Sequence, residues 1–143
     1  MVDATRRTTV TARTLALVGL VAEALPILLP LYGDGHQFLF SLGFPTRSVI
    51  AQYVSGLAIP FAVGVGLVLL RRGSDTLAAG VLLGLGLVIA LGVASMLIIG
   101  PEVFTRWQST LVVGLRGVAA GALLAAATMV TRRVGSVSSS RNV

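Results

Sequence analysis

Residues 76–100 read TLAAGVLLGLGLVIALGVASMLIIG and contain no charged side chain. A helix of about 20 apolar residues, rising about 1.5 Å per residue, crosses the roughly 30 Å hydrocarbon core of a bilayer. This stretch therefore predicts a transmembrane helix. Three further apolar stretches of similar length lie at residues 14–32, 49–70 and 107–131. The fold we expect is all-α: an integral membrane bundle of four helices.

The composition of the whole chain agrees with this expectation. Of its 143 residues, 55% are hydrophobic and 11% charged, and the mean hydropathy is +0.95. Soluble domains carry about 25% charged residues, so this chain lacks the groups to cover a surface that faces water. The absence of Cys and the single His exclude a disulfide framework, a cysteine nucleophile and a thiolate or poly-imidazole metal site. We expect no metal and no cofactor.

The arginines predict an orientation. All 11 basic residues are arginine, and most lie before the first span, between the second and third, or after the fourth. Those on this side are Arg6, Arg7, Arg13, Arg71, Arg72, Arg132, Arg133 and Arg141. Only Arg47 and Arg106 lie on the other side. The positive-inside rule therefore predicts a cell (inner) membrane protein with both termini in the cytoplasm. Because the charge lies between apolar spans and not along a soluble face, we expect no nucleic-acid partner.

The chain divides into one membrane domain and two tails. Residues 1–13 form a cytoplasmic N-terminal tail, residues 14–131 the four-span domain and residues 132–143 a flexible basic C-terminal tail. The short Arg-Arg-Gly-Ser-Asp link at residues 71–75 predicts that spans two and three are antiparallel neighbours. The twin arginine at residues 6–7 and the Ala-Glu-Ala at residues 22–24 imitate an export signal, but we expect an uncleaved first helix because the apolar run continues through Leu31.

One acidic and one basic residue fall inside the predicted spans. Glu23 lies about 13 Å below the outer end of span one, and Arg116 lies about 13 Å below the outer end of span four, at about 1.5 Å per residue. Because an ionised group at that depth is costly unless it is paired, we predict an ion pair between Glu23 and Arg116. The pair either fixes helix register, forms a proton or anion site, or accepts a buried charge from a partner.

Uncharged polar residues gather in the outer half of the bundle at Gln52, Ser55 and Ser95. Two explanations are open for this cluster: the residues line a cavity open to the outside, or they form hydrogen bonds between helices.

Aromatic residues favour the same outer side: Phe38, Phe40, Phe44, Phe104 and Trp107. Tyr and Trp normally form a belt at the lipid headgroups, but Phe does not require that position. We expect either an aromatic belt or an outer docking surface.

Small residues recur at four-residue spacing in the last two spans. The predicted packing residues are Gly80 and Gly84 in span three, and Gly117, Gly121 and Ala125 in span four. Such rows allow helix backbones to approach closely, and we expect the Gly117 row to serve the bundle. A second, shorter row of Ala122 and Ala126 faces either lipid or another protein.

Four short spans combined with an Arg-only, Lys-free composition resemble the small accessory membrane subunits of actinobacterial envelope and respiratory complexes, over the whole chain. The resemblance implies a larger membrane complex as partner, such as an Mce-type lipid-importing ABC transporter or a respiratory supercomplex, and carries no catalytic residue. The function we expect is therefore that of a non-catalytic accessory subunit packing through helix four and the aromatic outer loop. The alternative is a small homo-oligomeric transporter or flippase that uses the Glu23 and Arg116 site.

Overall fold

The computed structural model describes residues 2–28, 49–99 and 107–139, with side chains at residues 7–26, 57–98, 107 and 110–136. Within these ranges the chain is helical apart from a turn at residues 72–74. The helices are α1 (Val2–Leu28), α2 (Val49–Arg71), α3 (Asp75–Ile99) and α4 (Trp107–Ser139). The expected all-α fold is confirmed for the part of the chain described.

Three helices contain segments long and apolar enough to cross a membrane: Arg7–Pro26, Asp75–Ile98 and Thr110–Ser136. Helix α2 is 23 residues long and has a shorter described apolar segment, Leu57–Arg71. Large apolar side chains cover the outer faces of the helices; Phe61 is 76% exposed and Ile98 is 80% exposed. Such an exterior is compatible with a surrounding apolar medium.

Two helices are longer than the predicted spans. Residues 2–13, expected to form a polar tail, are the first turns of α1, and residues 132–139, expected to be flexible, continue α4. The extension of α4 has a visible cause. The Arg133 side chain contacts both α1 and α3, so tertiary contacts support a polar segment that would be a marginal helix alone.

The helices form a ring in which α4 packs against α3 and α1, and α2 packs against the same two helices. Helix α4 makes the more extensive contacts: 50% of its apolar segment is buried, against 28% for α1 and 22% for α3. It is therefore the main packing element of the bundle.

Polar contacts show that neighbouring helices are antiparallel. The Arg13 guanidinium in α1 donates from Nη2 to the Leu70 carbonyl near the end of α2, at 3.0 Å. Arg133 near the end of α4 donates from Nη1 to Thr9 Oγ1 at 2.7 Å and lies 3.3 Å from Asp75 Oδ2. The starts of α1 and α3 and the ends of α2 and α4 thus meet at one end. We call this the basic end, and its described arginines are Arg7, Arg13, Arg71, Arg72, Arg132 and Arg133.

The tight turn between α2 and α3 follows from one glycine. Gly73 has a φ of +78°, which an L side chain adopts only with strain. The Ser74 N–H donates to the Leu69 carbonyl at 3.0 Å, the hydrogen bond of a Schellman cap. The predicted antiparallel pairing of these two helices is present.

Close approach of the helices depends on three separate glycines that each face a leucine. A Cβ atom on Gly19, Gly66 or Gly86 would lie 2.8 to 2.9 Å from the nearest leucine carbon, closer than van der Waals contact allows. The facing leucines are Leu123, Leu82 and Leu124, respectively. These glycines therefore set the α1–α4, α2–α3 and α3–α4 separations.

Candidate functional site

The structure brings Glu23 of α1 and Arg116 of α4 together inside the bundle. Arg116 Nε lies 3.8 Å from Glu23 Oε2, and the two side chains are 8% and 3% exposed. They are the two buried charged residues in the described core. The matching depths inferred from the sequence thus correspond to an ion pair between the first and last helices.

A row of small residues on α1 positions this pair. Ala12, Ala16 and Gly19 precede Glu23 at intervals of three or four residues and are all buried, so they share its face. The missing Cβ of Gly19 admits the Leu123 side chain and brings α1 close to the Ala119 carbonyl. Glu23 lies one turn after Gly19 in α1, and Arg116 lies one turn before Ala119 in the antiparallel α4, so the close approach at Gly19 lets the two charged groups meet.

The ion pair leaves one polar atom unsatisfied. At 3.8 Å, the Nε to Oε2 separation is an electrostatic contact longer than a hydrogen bond. Glu23 Oε1 is buried and accepts no hydrogen bond from the described residues. Because a buried charge that loses its partner is strongly destabilising, the two groups depend on each other. The arrangement ties α1 to α4 and holds a carboxylate oxygen inside the bundle.

Proline lies next to the pair. Helix α1 continues through Pro26, which is fully buried, to Leu28. Pro26 has no N–H, so the Ala22 carbonyl four residues earlier loses its usual helical donor. The second proline of this stretch, Pro30, lies outside the described residues.

The polar outer cluster expected from the sequence is described only at Ser95. Its side chain is exposed, and its hydroxyl donates to the Leu91 carbonyl of the same helix at 2.8 Å. This bond within the helix satisfies the hydroxyl without a partner on another helix. The side chains of Gln52 and Ser55 lie outside those described.

The two rows of small residues in α4 face opposite to the expected directions. Gly117 and Gly121 are exposed, and a Cβ on either would meet nothing within 4 Å. Ala122 and Ala126, expected to face lipid or another protein, are buried. At about 100° per residue, Gly117 and Gly121 point about 100° and 140° to one side of Arg116, and Ala122 and Ala126 point about 120° and 80° to the other. The buried residues of α4 extend toward this second side.

The remaining predicted packing residues also lie away from close contacts. Gly80 and Gly84 of α3 are exposed, with open space where a Cβ would stand, and Ala125 is half-buried. Gly80 and Gly84, like Gly117, therefore make no close helix contact in the described part of the bundle. The glycines that do approach another helix closely, Gly19 and Gly66 among them, belong to no row of glycines at four-residue spacing. The sequence does not show which residue of another helix lies opposite them.

The expected outer docking surface is described only at Trp107, which begins α4 and is 67% exposed. Phe38, Phe40, Phe44 and Phe104 lie outside the described residues.

The described residues contain no group of three or more His, Asp and Glu side chains placed to hold a metal ion. No protein-family model, curated protein or solved structure matches this chain.

Proposed function

We propose that this chain is a non-catalytic accessory subunit of a larger complex in the cell (inner) membrane, and that it binds its partner through the outer face of α4. In this proposal all four helices cross the bilayer, and both termini are cytoplasmic. The host we propose, from the resemblance in composition and span number, is a lipid or envelope transport system.

The membrane part of the proposal is supported by where charge and apolar surface lie. Described arginines other than Arg116 gather at the basic end. Side chains such as Leu91 (67% exposed) and Ile98 (80% exposed) project outward from the opposite half of α3. A basic end beside apolar sides is the pattern of a bundle whose basic end faces the cytoplasm.

The observation that carries the subunit proposal is the outer face of α4. Gly114, Gly117 and Gly121 are exposed, open to at least 4 Å where a side chain would stand, and Ala125 continues the same face. In a bilayer, where lipid tails are as apolar as leucine, helices associate through such close backbone packing. This face is therefore suited to a second helix from a partner protein.

The outer face of α3 provides a contrast within the same chain. It also carries two exposed glycines, Gly80 and Gly84, but large side chains stand beside them; Leu77, Leu83 and Leu87 are 65%, 43% and 49% exposed. The glycine face of α4 also has exposed large side chains beside it, Leu111 (42%) and Val118 (54%), but α3 has three leucines beside two glycines, and α3 is the face that we assign to lipid.

In this proposal the Glu23–Arg116 pair has a positioning role. It locks the rotation of α4 against α1, so that the glycine face of α4 points outward. The pair binds nothing itself, and the chain is not an enzyme.

The test is co-purification of the full chain, tagged at its C-terminus, from gently solubilised membranes. Two double variants differ only in the helix altered: Gly117→Leu with Gly121→Leu on α4, and Gly80→Leu with Gly84→Leu on α3. Because all four positions are open, both variants should keep the bundle intact. The proposal expects a stoichiometric larger partner with wild type and the α3 variant, and its loss with the α4 variant. Absence of a partner, or equal retention by both variants, contradicts it.

A second candidate function, a small homo-oligomeric transporter or flippase, is favoured by one observation. Glu23 Oε1 is buried without a hydrogen-bond partner among the described residues, and intramembrane carboxylates often mark ion or proton paths. Purification as a homo-oligomer, together with proteoliposome flux that Glu23→Gln abolishes, would establish this function in place of the first.

A further inference from the structure

The basic end contains a pocket that neither the orientation of the chain nor docking through α4 explains. It has a volume of about 520 Å³ and is more open than enclosed. Its walls come from two helices: Arg7, Thr8 and Thr11 of α1, and Met129, Arg132, Arg133 and Ser136 of α4.

The lining residues share one face on each helix. Positions 129, 132, 133 and 136 recur at three or four residues on α4, and positions 7, 8 and 11 share a face of α1. The two faces are joined at the pocket by the 2.7 Å hydrogen bond from Arg133 Nη1 to Thr9 Oγ1. The three arginines therefore converge on one cleft, whereas orientation by the positive-inside rule requires no such convergence.

The described lining of the pocket contains three arginines. No Asp or Glu is among its described lining residues. The nearby Asp75 carboxylate, 3.3 Å from Arg133 Nη1, offsets part of one charge. Like charges that share a cleft repel each other, so an anion between them stabilises the arrangement.

Two of the three lining hydroxyl groups donate to the backbone, which leaves anion binding mainly to the guanidinium groups. Thr11 Oγ1 donates to the Arg7 carbonyl at 2.9 Å, and Ser136 Oγ donates to the Arg133 carbonyl at 2.8 Å. Their hydrogens are therefore already used by the backbone. Arg132, exposed at the rim, and Arg7, on the opposite wall, supply the forked N–H donors that match phosphate oxygens.

We propose that this pocket binds a phosphate group, carried by a membrane lipid headgroup or by a free anion. Its volume lies in the range of about 300 to 1,000 Å³ typical of ligand sites. Met129 adds an apolar wall on the side of the pocket nearer the middle of α4. That wall fits the start of an acyl chain beneath a headgroup.

Two other arginines of the basic end serve as a matched control. Arg71 and Arg72 are exposed and carry the same charge, but they do not line the pocket. If the pocket is a specific site, neutralising Arg132 weakens anion binding more than neutralising Arg72 does. If only the general positive potential matters, the two substitutions weaken it equally. Arg133 is unsuitable as a test because it also joins α4 to Thr9 and Asp75.

The experiment measures binding to the purified full chain in nonionic detergent by isothermal titration calorimetry. The probes are dioctanoyl phosphatidylglycerol, inorganic phosphate and, as a control without phosphate, dioctanoylglycerol. We expect saturable binding of phosphatidylglycerol that weakens about tenfold in Arg132→Gln, about 1.4 kcal/mol, and also weakens in Arg7→Gln on the other wall. Arg72→Gln should change it less than twofold.

The two phosphate probes identify the source of the group. If inorganic phosphate also binds and Arg132→Gln weakens its binding as much as that of the lipid, the ligand is a free anion. If phosphatidylglycerol binds and inorganic phosphate does not, the ligand is a lipid headgroup. Both results support the site. Equal weakening by Arg132→Gln and Arg72→Gln overturns it, as does the absence of saturable binding or equal binding of dioctanoylglycerol. The test uses the chain alone and is independent of the proposed partner.

Discussion

Neutralising one member of the buried pair should destabilise the bundle severely. Glu23→Gln keeps the shape of the side chain but leaves the Arg116 guanidinium, 8% exposed, without its carboxylate at 3.8 Å. Two unit charges about 4 Å apart attract by about 4 kcal/mol at an effective dielectric constant of about 20. Loss of one partner of a buried pair typically costs about 3–5 kcal/mol, which agrees with this value. We expect a loss in that range for Glu23→Gln, and a similar loss for Arg116→Gln.

The assay is a double-mutant cycle read by unfolding in mixed micelles of increasing SDS content. The double variant Glu23→Gln with Arg116→Gln should recover much of the stability lost by either single variant, because neither charge is then left alone. The exchange variant, with Arg at 23 and Glu at 116, should recover it further. Ser95→Ala, at an exposed position, provides a baseline within about 0.5 kcal/mol of wild type.

The result that refutes this reasoning is additivity. If the two single losses sum to the loss of the double variant within about 0.5 kcal/mol, the residues are not coupled. An exchange variant that is no more stable than either single variant would also contradict the coupling.

Two further predictions concern packing and the basic end. Gly86→Val should cost about 1–3 kcal/mol because a Cβ there lies 2.9 Å from Leu124. Gly84→Val, in open space, should be close to neutral. Equal SDS unfolding midpoints for the two variants would contradict the close contact between Gly86 and Leu124. Asp75→Asn removes the partly exposed ion pair with Arg133 and should cost at most about 1 kcal/mol. The difference should vanish in about 1 M salt, where the Debye length is about 3 Å, and a larger cost that salt leaves unchanged would show that the pair is more than a surface contact.

The helices and the pair were predictable because each depends on a signal that lies within one stretch of sequence. An uncharged run such as residues 76–100 permits few structures other than a long apolar helix. Glu23 and Arg116 were identifiable because no other charge falls inside the predicted spans, and a fixed rise per residue converts sequence position into depth.

The faces of the helices were not predictable because they depend on how each helix is rotated. Small residues lie on several sides of α4, so spacing alone does not tell the row of Gly117 and Gly121 from that of Ala122 and Ala126. Arg116 lies between the two rows, so only the packing of α4 against α1 and α3 decides between them. Gly19 is important only because Leu123 lies opposite, a relation between helices that no pattern within α1 records.

The helical extension at residues 132–139 was missed for a similar reason. Its serines and arginines are typical of a solvated tail. In the structure, however, Arg133 contacts Thr9 and Asp75 on two other helices, and these contacts are not visible in the sequence. Arg133 also lines the pocket, so this arginine combines an expected role in orientation with a structural role.

The claim that the outer face of α4 binds a partner is tested most directly by photo-crosslinking in living cells. A photoreactive amino acid is placed at Gly121 in the outer face of α4, and at Gly84 in the outer face of α3 as the matched control. Both positions are exposed and open. The account predicts a discrete adduct with a larger membrane protein from position 121 and none from position 84. Adducts of equal yield from both positions, or none from 121, would contradict it.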